Sequence, residues 1–376
     1  MRIGVVGGGF AGLMAAYRML ELGFDVELFE EHSRVGYPPH CTGVVSQETV
    51  EGIGRPAKDA LEAIYDGLII TLDKVKCKLR TRENIVKLDR VRLEEILLRE
   101  VSTQGTVRLS TRVRRVTPQG SLELASGEKH SYDIVIIAEG VQGKLRAQVG
   151  LAHSPTTSLG VNIEVPDSSS RKKGYFKVGF TSSMNGYTWE VPVNNRLVVG
   201  ALSIKPGEAV RVARKLAAGK RPLRVYGGRV IHGPPLPRAR NGRVVVIGDA
   251  AGVNKPVTGG GLWPNTMLVN LWASQVEGGL DVIEAFDRAY SAIYSKLYRQ
   301  YKLARAFYEA SASGRAKLLR FLGSLLEKGL CDRLNGRIGY DSHEELLGIV
   351  LQDPGLLVKA APLILKNINI IKKIIL

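Results

Sequence analysis

Four residues near the amino terminus have the types and the spacing of a phosphate-binding turn. The run GGGFAG at residues 7–12 follows a short apolar segment, precedes a helical pattern, and is followed by a second apolar segment that ends at Glu30. In this context Gly7 permits a tight turn, Gly9 lets a pyrophosphate approach the backbone, and Gly12 lets the helix pack close to the strand. Glu30 stands where a carboxylate accepts hydrogen bonds from ribose hydroxyls. The pattern predicts a dinucleotide site for either NAD or FAD.

A second glycine-rich turn narrows this choice. The apolar strand at residues 243–248 is followed by Asp249, and the run TGGGL later opens another helix. An Asp at such a strand end can bond a ribityl hydroxyl, while the backbone N–H groups of Gly260 and Gly261 can meet a phosphate or the flavin carbonyls. A third buried strand ends at Glu139 and delivers its turn to the same edge of the sheet. Together the turns predict an extended FAD site.

Two further pairs of residues have side chains that can act on a substrate. Cys41 and His40 lie in a loop soon after Glu30, and either side chain can relay a proton. The simpler alternatives are a small buried thiol and a solvated loop histidine. Tyr187 and Trp189 are two residues apart on a strand, so they share a face and can line an apolar channel or stabilise positive charge. Ordinary sheet packing of the two aromatic rings is the alternative.

These residues require an α/β fold in which a Rossmann-like FAD-binding domain is interleaved with an antiparallel-sheet substrate domain and followed by a helical carboxy-terminal region. We expect the discontinuous FAD-binding domain to comprise residues 1–150 and 220–280. The substrate sheet takes residues 151–219, with parts of 55–85, and residues 281–376 form the helical region. Residues 86–101 predict an amphipathic helix.

Composition limits the partners and the setting. The chain has 376 residues and a formal charge of +17, which favours an anionic partner, but its basic residues are spread out and form no nucleic-acid module. Three cysteines are too few and too scattered for a disulfide framework or a zinc site, so we expect a reducing interior and no metal. The chain starts directly with a strand, which predicts a cytoplasmic protein.

The carboxy-terminal end is rich in Leu and Ile but is interrupted by lysines at positions 359, 366, 372 and 373. It lacks the uninterrupted apolar length of a membrane-spanning helix. Two interpretations stay open: an interfacial segment on the anionic cytoplasmic face of a membrane, and a helix packed against the body of the protein.

The motifs, taken in order, resemble a known family. The glycine run, the DR pair at residues 89–90, the strand end AEG at 138–140 and the GDAAG segment resemble the FAD-dependent oxidoreductases of the para-hydroxybenzoate hydroxylase type over residues 1 to about 275. The loop GYPPHCTG at residues 36–43 resembles the cysteine-containing loop of the geranylgeranyl reductase family. YTWEVP at residues 187–192 resembles that family's YxWxFP lipid-pocket motif, with Val191 in place of the aromatic residue.

This resemblance implies an FAD-dependent reductase that saturates carbon–carbon double bonds of geranylgeranyl chains in isoprenoid membrane lipids or their diphosphate precursors. Its partners are then a prenyl lipid, an anionic membrane surface and an electron donor such as ferredoxin or NAD(P)H. The residues that match the family's FAD contacts are Ala11, Glu30, Cys41, Thr42, Arg90, Asp249, Gly261 and Leu262.

Two other functions remain open from the sequence. YTWEVP also resembles the WxWxIP motif of flavin halogenases, although its first position differs, so an aromatic monooxygenase or a flavin halogenase is one alternative. A halogenase requires a lysine near the flavin, and Lys74, Lys76 and Lys78 are available for it. The other alternative is a membrane-associated flavoprotein that passes electrons to a quinone. Saturation of a substrate without dioxygen distinguishes a reductase from an oxygen-dependent enzyme.

Overall fold

Two large sheets organise the computed structural model, which describes residues 1–167, 174–341 and 345. The first sheet has six strands in the order β16-β17-β10-β1-β2-β6. Its strands are β1 Arg2–Val6, β2 Asp25–Phe29, β6 Thr106–Arg108, β10 Ile134–Ile137, β16 Arg240–Asn241 and β17 Val244–Val246. All neighbours pair in parallel except β16 with β17. The continuous apolar runs of β1, β10 and β17 suit this position, because a parallel sheet is buried on both faces.

The second sheet has eight strands in the order β15-β11-β14-β13-β12-β4-β5-β3. Its strands are β3 Val44–Ser46, β4 Leu61–Leu72, β5 Val75–Leu88, β11 Thr156–Pro166, β12 Tyr175–Phe180, β13 Gly186–Val193, β14 Arg196–Ser203 and β15 Arg224–Gly233. All neighbours are antiparallel except β12 with β4. A small third sheet contains β7 Val113–Val116, β8 Ser121–Leu124 and β9 Lys129–Ser131.

Helices cover both large sheets. They are α1 Phe10–Glu21, α2 Gln47–Ile53, α3 Arg55–Asp59, α4 Arg90–Gln104, α5 Lys144–Gln148, α6 Pro206–Leu216, α7 Leu262–Glu277, α8 Val282–Tyr308, α9 Ala312–Leu325 and α10 Cys331–Leu334. Short 3-10 or π-helical turns lie at Gly140–Gln142, Gly248–Ala251 and Leu326–Leu330. The expected mixed α/β fold, with its parallel sheet, antiparallel sheet and carboxy-terminal helices, is confirmed.

Three apolar cores hold these layers together. The largest joins the six-stranded sheet to α1, α4, α7 and α8. The second lies between the eight-stranded sheet and the carboxy-terminal helices, and includes Phe176, Trp189 and Phe321. The third lies under α6, where Ala209 and Ala213 pack against β11 and β14. The second core matters most for function, because it forms the wall of a large cavity.

Two boundaries expected from the sequence differ from those of the structure. The predicted helix at residues 86–101 begins only at Arg90, because the Asp89 carboxylate accepts hydrogen bonds from the Val91 and Arg92 N–H groups and caps it. Strand β15 lies inside the range expected for the FAD-binding domain but pairs with β11 in the eight-stranded sheet. The domain division itself stays a prediction.

The expectation that the three cysteines form no disulfide framework also needs correction. Cys77 on β5 and Cys331 on α10 form a disulfide across 254 residues, and Cys41 is free. Sequence spacing could not reveal this pair, because only the packing of α10 on β5 brings the two Cα atoms to 5.8 Å. The expectation of a reducing setting rested on the scattered positions of the three cysteines, and the disulfide removes that reason.

The lysines at 359, 366, 372 and 373, and with them the proposed membrane segment, lie outside the described residues. In the part of the chain that is described, no helix combines the length and the apolar character needed to cross a bilayer.

Candidate functional site

The first glycine-rich turn has the geometry that its sequence predicts. Gly7 has a φ of +109°, and a Cβ atom there would lie 2.3 Å from the carbonyl oxygen of Ala138. A Cβ atom on Gly12 would lie 2.0 Å from the carbonyl oxygen of Gly7, so only glycine lets α1 start this close to β1. Gly9, by contrast, has nothing within 4 Å of its Cβ position. That open space at the start of α1 suits a phosphate group.

Glu30 stabilises this turn, and it is also the residue predicted to contact a ribose. Its carboxylate accepts hydrogen bonds from the backbone N–H of Gly8 at 2.6 Å and of His32 at 2.8 Å. The side chain is largely buried. The Nδ1 atom of His32 lies 2.5 Å from the Oε1 atom that accepts from its backbone N–H, so Oε2 is the oxygen that keeps a lone pair for a ribose hydroxyl.

The second glycine-rich turn lies across the cavity from the first. Asp249 accepts a hydrogen bond from the Asn254 side-chain amide at 2.9 Å, and the Lys255 N–H donates to the Gly260 carbonyl at 3.0 Å. Helix α7 begins at Leu262, directly after Gly261, so its free N–H groups face the cavity.

Glu139 is placed differently. Its carboxylate accepts hydrogen bonds from the N–H groups of Leu145 and Arg146, both at 2.8 Å, at the start of α5. The residue does not line the cavity, whereas its neighbours Ala138 and Gly140 do. Glu139 therefore supports the turn after β10, and its contact with a bound cofactor stays a prediction.

One cavity of about 860 Å³ brings most of the predicted site residues together. The predicted residues that line it are Gly9, Ala11, His40, Cys41, Thr42, Arg90, Tyr187, Trp189, Asp249, Gly260, Gly261 and Leu262. Gly7, Gly12, Glu30 and Glu139 are not among its lining residues. One end of the cavity meets both glycine-rich turns, and the other end is enclosed by apolar side chains of α8, α9 and the segment that follows them.

The cysteine loop and the aromatic motif are joined through Asn162, a residue that the sequence reasoning missed. The side-chain oxygen of Asn162 accepts hydrogen bonds from the Thr42 hydroxyl at 2.8 Å and from the Trp189 indole N–H at 3.0 Å. Asn162 is buried and lines the cavity. Its position on β11 carried no motif signal. Cys41 is half-buried, whereas His40 is exposed at the mouth of the cavity.

Tyr187 and Trp189 share a face of β13, as their spacing predicted, with ring centroids 5.4 Å apart. Gly200 pairs with Trp189 on β14, and a Cβ atom there would lie 2.2 Å from the indole ring. The indole therefore occupies space that only a glycine leaves open.

Three side chains hold the loop before the second glycine-rich turn. Tyr187 donates to the carbonyl of Thr258 at 2.7 Å, Tyr308 donates to the carbonyl of Val257 at 2.8 Å, and the His232 ring bonds the carbonyl of Pro256 at 2.7 Å. The other nitrogen of His232 lies 2.6 Å from the Ser158 hydroxyl. With Nδ1 donating to the carbonyl, Nε2 accepts from Ser158.

The polar end of the cavity fits a bound flavin nucleotide. Three of its lining residues have a buried polar atom with no partner among the described residues: Nε of Arg90, Oδ1 of Asn254 and Oγ1 of Thr258. Such atoms cost free energy unless a ligand or water bonds them. Arg90 also pairs with Glu94. Burial alone would lower the pKa of Arg90, but the Glu94 carboxylate and the neighbouring Cys41 side chain raise it, so the guanidinium stays charged.

Lys255 of the cavity lining belongs to a buried ion pair that was not predicted. Lys255 pairs with Asp341, and both are almost fully buried. Asp341 further accepts hydrogen bonds from the Ser46 N–H and the Thr49 hydroxyl, both at 2.9 Å. Burial would raise the pKa of Asp341, but the Lys255 charge and the bonds from Ser46 lower it. Lys255 lies in the sequence between the predicted site residues Asp249 and Gly260. No sequence pattern links it to Asp341.

The lysines considered for a halogenase do not face the cavity. Cys77 and Leu79 on β5 line it, so Lys76 and Lys78, which alternate with them, point to the other face. Lys78 instead lies over the ring of Tyr175, with its nitrogen 4.3 Å from the ring centroid. Lys74 is exposed in the turn before β5.

Two family models match the chain. Residues 5–49 match the NAD(P)-binding Rossmann-like domain, and residues 67–312 match the tryptophan halogenase family, a match that covers well over half of the chain.

The chain is also similar to individual proteins and to solved structures. The chain is 27% identical to digeranylgeranylglycerophospholipid reductase 1 of Methanopyrus kandleri, covering 78% of this chain and 84% of that protein. It is 25% identical to the digeranylgeranylglycerophospholipid reductase of Methanothrix thermoacetophila, covering 85% and 90%. A geranylgeranyl bacteriochlorophyll reductase-like protein from Thermoplasma acidophilum shares the fold, with a TM-score of 0.75, 17% identity and coverage of 96% and 98%. A flavin-dependent brominase also shares it, with a TM-score of 0.67, 12% identity and coverage of 94% and 99%.

These matches agree with the two glycine-rich turns and the cavity between them. The chain is an FAD-dependent oxidoreductase that belongs to the family described by the tryptophan halogenase model, and its identification as a member of the geranylgeranyl reductase group within these flavoproteins is confirmed.

Proposed function

We propose that this enzyme saturates carbon–carbon double bonds of geranylgeranyl chains in isoprenoid membrane lipids or their diphosphate precursors. The observation that carries the proposal is the cavity, whose polar lining residues lie mostly in the two glycine-rich turns, the cysteine loop and the residues beside them, and whose remaining lining is mainly apolar. A prenyl chain is a long hydrocarbon, so an apolar channel that starts at the cofactor end fits it. The names of the relatives from Methanopyrus and Methanothrix describe the same class of lipid.

The chemistry needs few groups from the protein. An isolated alkene is not polarised, so one carbon must receive a hydride and the other a proton, with water excluded from any developing positive charge. FAD, when bound and reduced, supplies the hydride. The residues proposed to hold it are Gly9, Ala11, Glu30, Arg90 and the turn from Asp249 to Leu262.

Cys41 is the proposed proton donor. Its thiol lines the cavity and lies beside the Arg90 guanidinium, which can stabilise the thiolate left after the S–H bond breaks and the new C–H bond forms. His40, exposed at the mouth, is the group proposed to pass a proton from solvent back to this sulfur. Tyr187 and Trp189 present aromatic faces that favour positive charge on the alkene.

Two partners complete the proposal. The sequence has one dinucleotide turn of the Gly7 type, and this turn is assigned to FAD. The reducing electrons therefore come from a separate soluble donor, such as ferredoxin or NAD(P)H. The substrate is reached from an anionic membrane surface, to which the enzyme binds peripherally. The net charge of +17 supports this association.

The proposal is tested by mass spectrometry of lipids from cells that express the protein together with a geranylgeranylated lipid pathway. Expression should add two hydrogen atoms for each bond reduced. Cys41→Ala should lower the amount of product, while Cys41→Ser, which retains a proton-bearing group of similar size, should keep more of it. Unchanged lipid masses with a protein that holds FAD would refute the proposal.

One observation favours a second activity, halogenation or hydroxylation: the family model is named for tryptophan halogenase, and a brominase shares the fold. The position of Lys74, Lys76 and Lys78 away from the cavity argues against it. Product that forms only with dioxygen, and with halide in the case of halogenation, would favour this activity. Product that forms anaerobically would exclude it.

A further inference from the structure

A strip of positive charge with exposed aliphatic side chains lies along one edge of the eight-stranded sheet. Its six cations come from α6, from the turn after α6 and from the edge strand β15. They are Arg211, Arg214, Lys215, Lys220, Arg221 and Arg229, all exposed, and we call them the basic strip. Between them lie Leu223 and Val225, whose exposed fractions are 59% and 62%. Residues 209–248 contain no Asp or Glu.

The fold places these residues on one face. Helix α6 turns Ala209 and Ala213 into the core against β11 and β14, which leaves its arginine and lysine side chains on the outside. Val225 pairs with Ile163 of β11, which packs in the same core under α6. Residues 223, 225 and 229 are separated by even numbers, so their side chains share the α6 face of the edge strand.

The basic strip is not neutralised by the protein. Among the residues that the structure describes, no carboxylate makes an ion pair with any of its six cations. Lys220 makes one hydrogen bond, to the Pro166 carbonyl at 3.3 Å. Unpaired surface cations lower the free energy of binding to an anionic surface, and exposed aliphatic side chains between them add an apolar contribution.

The strip is also connected to the cavity. Val230, in the middle of β15, lines the cavity from the face of the strand opposite to Arg229, and Gly228 lies against His40 at its mouth. A lipid that leaves a bilayer at this edge therefore meets the cavity within the length of one strand. A nucleic acid would use the cations but would gain nothing from Leu223 and Val225, so the observations favour a bilayer.

We propose that the basic strip, with Leu223 and Val225, is the surface by which this enzyme docks on an anionic lipid bilayer, so that prenyl lipids enter the cavity beside β15. The inference rests on the proposed function for the identity of the lipid that enters. The docking itself is independent of turnover and is tested by binding alone.

The test is co-sedimentation of the full chain with two kinds of vesicle, one of equimolar phosphatidylglycerol and phosphatidylcholine and one of phosphatidylcholine alone. We expect binding to the anionic vesicles and at least tenfold weaker binding to the neutral ones. Replacing Arg211, Arg214 and Lys215 together by Ser should weaken anionic binding by about a hundredfold, because each cation near such a surface contributes a factor of about five. The double variant Leu223→Ser with Val225→Ser should weaken it severalfold.

A matched control removes the same charge elsewhere. Arg99, Arg114 and Arg115 are exposed outside the strip, and their joint replacement by Ser should leave most of the binding intact. All variants should keep their flavin and should still reduce detergent-dispersed lipid, which separates a failure of docking from a failure of the proposed function.

Three results would overturn the docking proposal. The first is full binding by both strip variants, which would place membrane contact elsewhere in the chain. The second is equal loss of binding in the control variant, which would mean that only net charge matters. The third is tighter binding of a mixed-sequence RNA through the same cations, which would make the surface a nucleic-acid site.

Discussion

The Tyr187 hydroxyl donates a hydrogen bond to the carbonyl oxygen of Thr258 at 2.7 Å. Tyr187 belongs to the aromatic motif on β13, and Thr258 immediately precedes the glycine-rich turn that opens α7. Tyr308 and His232 hold the two preceding carbonyls in the same way. The aromatic motif therefore has two tasks, since the ring lines the cavity while the hydroxyl fixes the turn that is proposed to hold the flavin.

Removing that hydroxyl should loosen the turn. We expect Tyr187→Phe to raise the dissociation constant of FAD about five- to tenfold, because a buried carbonyl loses its donor at a cost of about 1 kcal/mol. Equilibrium titration of the apoprotein with FAD measures this. Tyr298→Phe, at a tyrosine that is 39% exposed, is the control and should bind FAD like the wild type. Equal FAD affinity in Tyr187→Phe and wild type would show that the hydrogen bond does not position the turn.

Gly200 should tolerate no side chain. A Cβ atom at this position would lie 2.2 Å from the Trp189 ring, so Gly200→Ala must displace the indole and break its bond to Asn162. We expect a loss of about 1–3 kcal/mol in the free energy of unfolding, together with a shift in tryptophan fluorescence. Gly207→Ala is the matched control, since nothing lies within 4 Å of its Cβ position on α6. A Gly200→Ala protein as stable as the wild type would contradict the packing described.

His232 should make stability depend on pH. Burial lowers the pKa of His232 to about 4 from its usual 6.5, and the bond to the Pro256 carbonyl offsets this only in part. The folded protein thus keeps the ring neutral, and the stabilisation is complete above pH 6.5 and is lost as the pH falls toward 4. The loss should amount to about 3 kcal/mol.

Urea unfolding between pH 7 and pH 4.5 measures this contribution. His232→Asn, whose amide can still donate to the Pro256 carbonyl, should show a pH dependence that is flatter by most of that amount. If the variant and the wild type lose the same stability over this range, His232 is not the group responsible.

The disulfide predicts a simple count of thiols. Denatured, unreduced protein should show one titratable thiol per chain, that of Cys41, whereas three would contradict the Cys77–Cys331 bond. Reductant should lower the free energy of unfolding of the wild type by about 2–5 kcal/mol, since the bond closes a very long loop. A double variant, Cys77→Ser with Cys331→Ser, should not respond to reductant, and Cys41→Ser should respond like the wild type.

The sequence predicted those parts of the site that depend on neighbouring residues. Gly7, Gly9 and Gly12 have the geometry expected of them because the turn, the helix start and the strand are all local in the chain. Tyr187 and Trp189 share a face because strand periodicity fixes it.

Contacts between distant segments were not predictable in this way. Asn162 on β11 joins Thr42, in the loop before β3, to Trp189 on β13. Lys255 meets Asp341 only because the segment after α10 folds back over the cavity. Glu139 is a further case, since its position at a strand end suggested a cofactor contact but did not reveal that its carboxylate accepts hydrogen bonds from the start of α5. Tertiary packing decides these cases.

The most direct measurement is an anaerobic single turnover. Protein-bound FAD is reduced with a stoichiometric amount of dithionite and mixed with a geranylgeranylated glycerophospholipid in detergent, while the flavin absorbance is followed and the lipid is then analysed by mass spectrometry. We expect the yellow colour to return without dioxygen and the lipid to gain two hydrogen atoms for each flavin reoxidised. If the flavin stays reduced with the lipid but is reoxidised by a quinone or by dioxygen, the enzyme is not a prenyl-chain reductase.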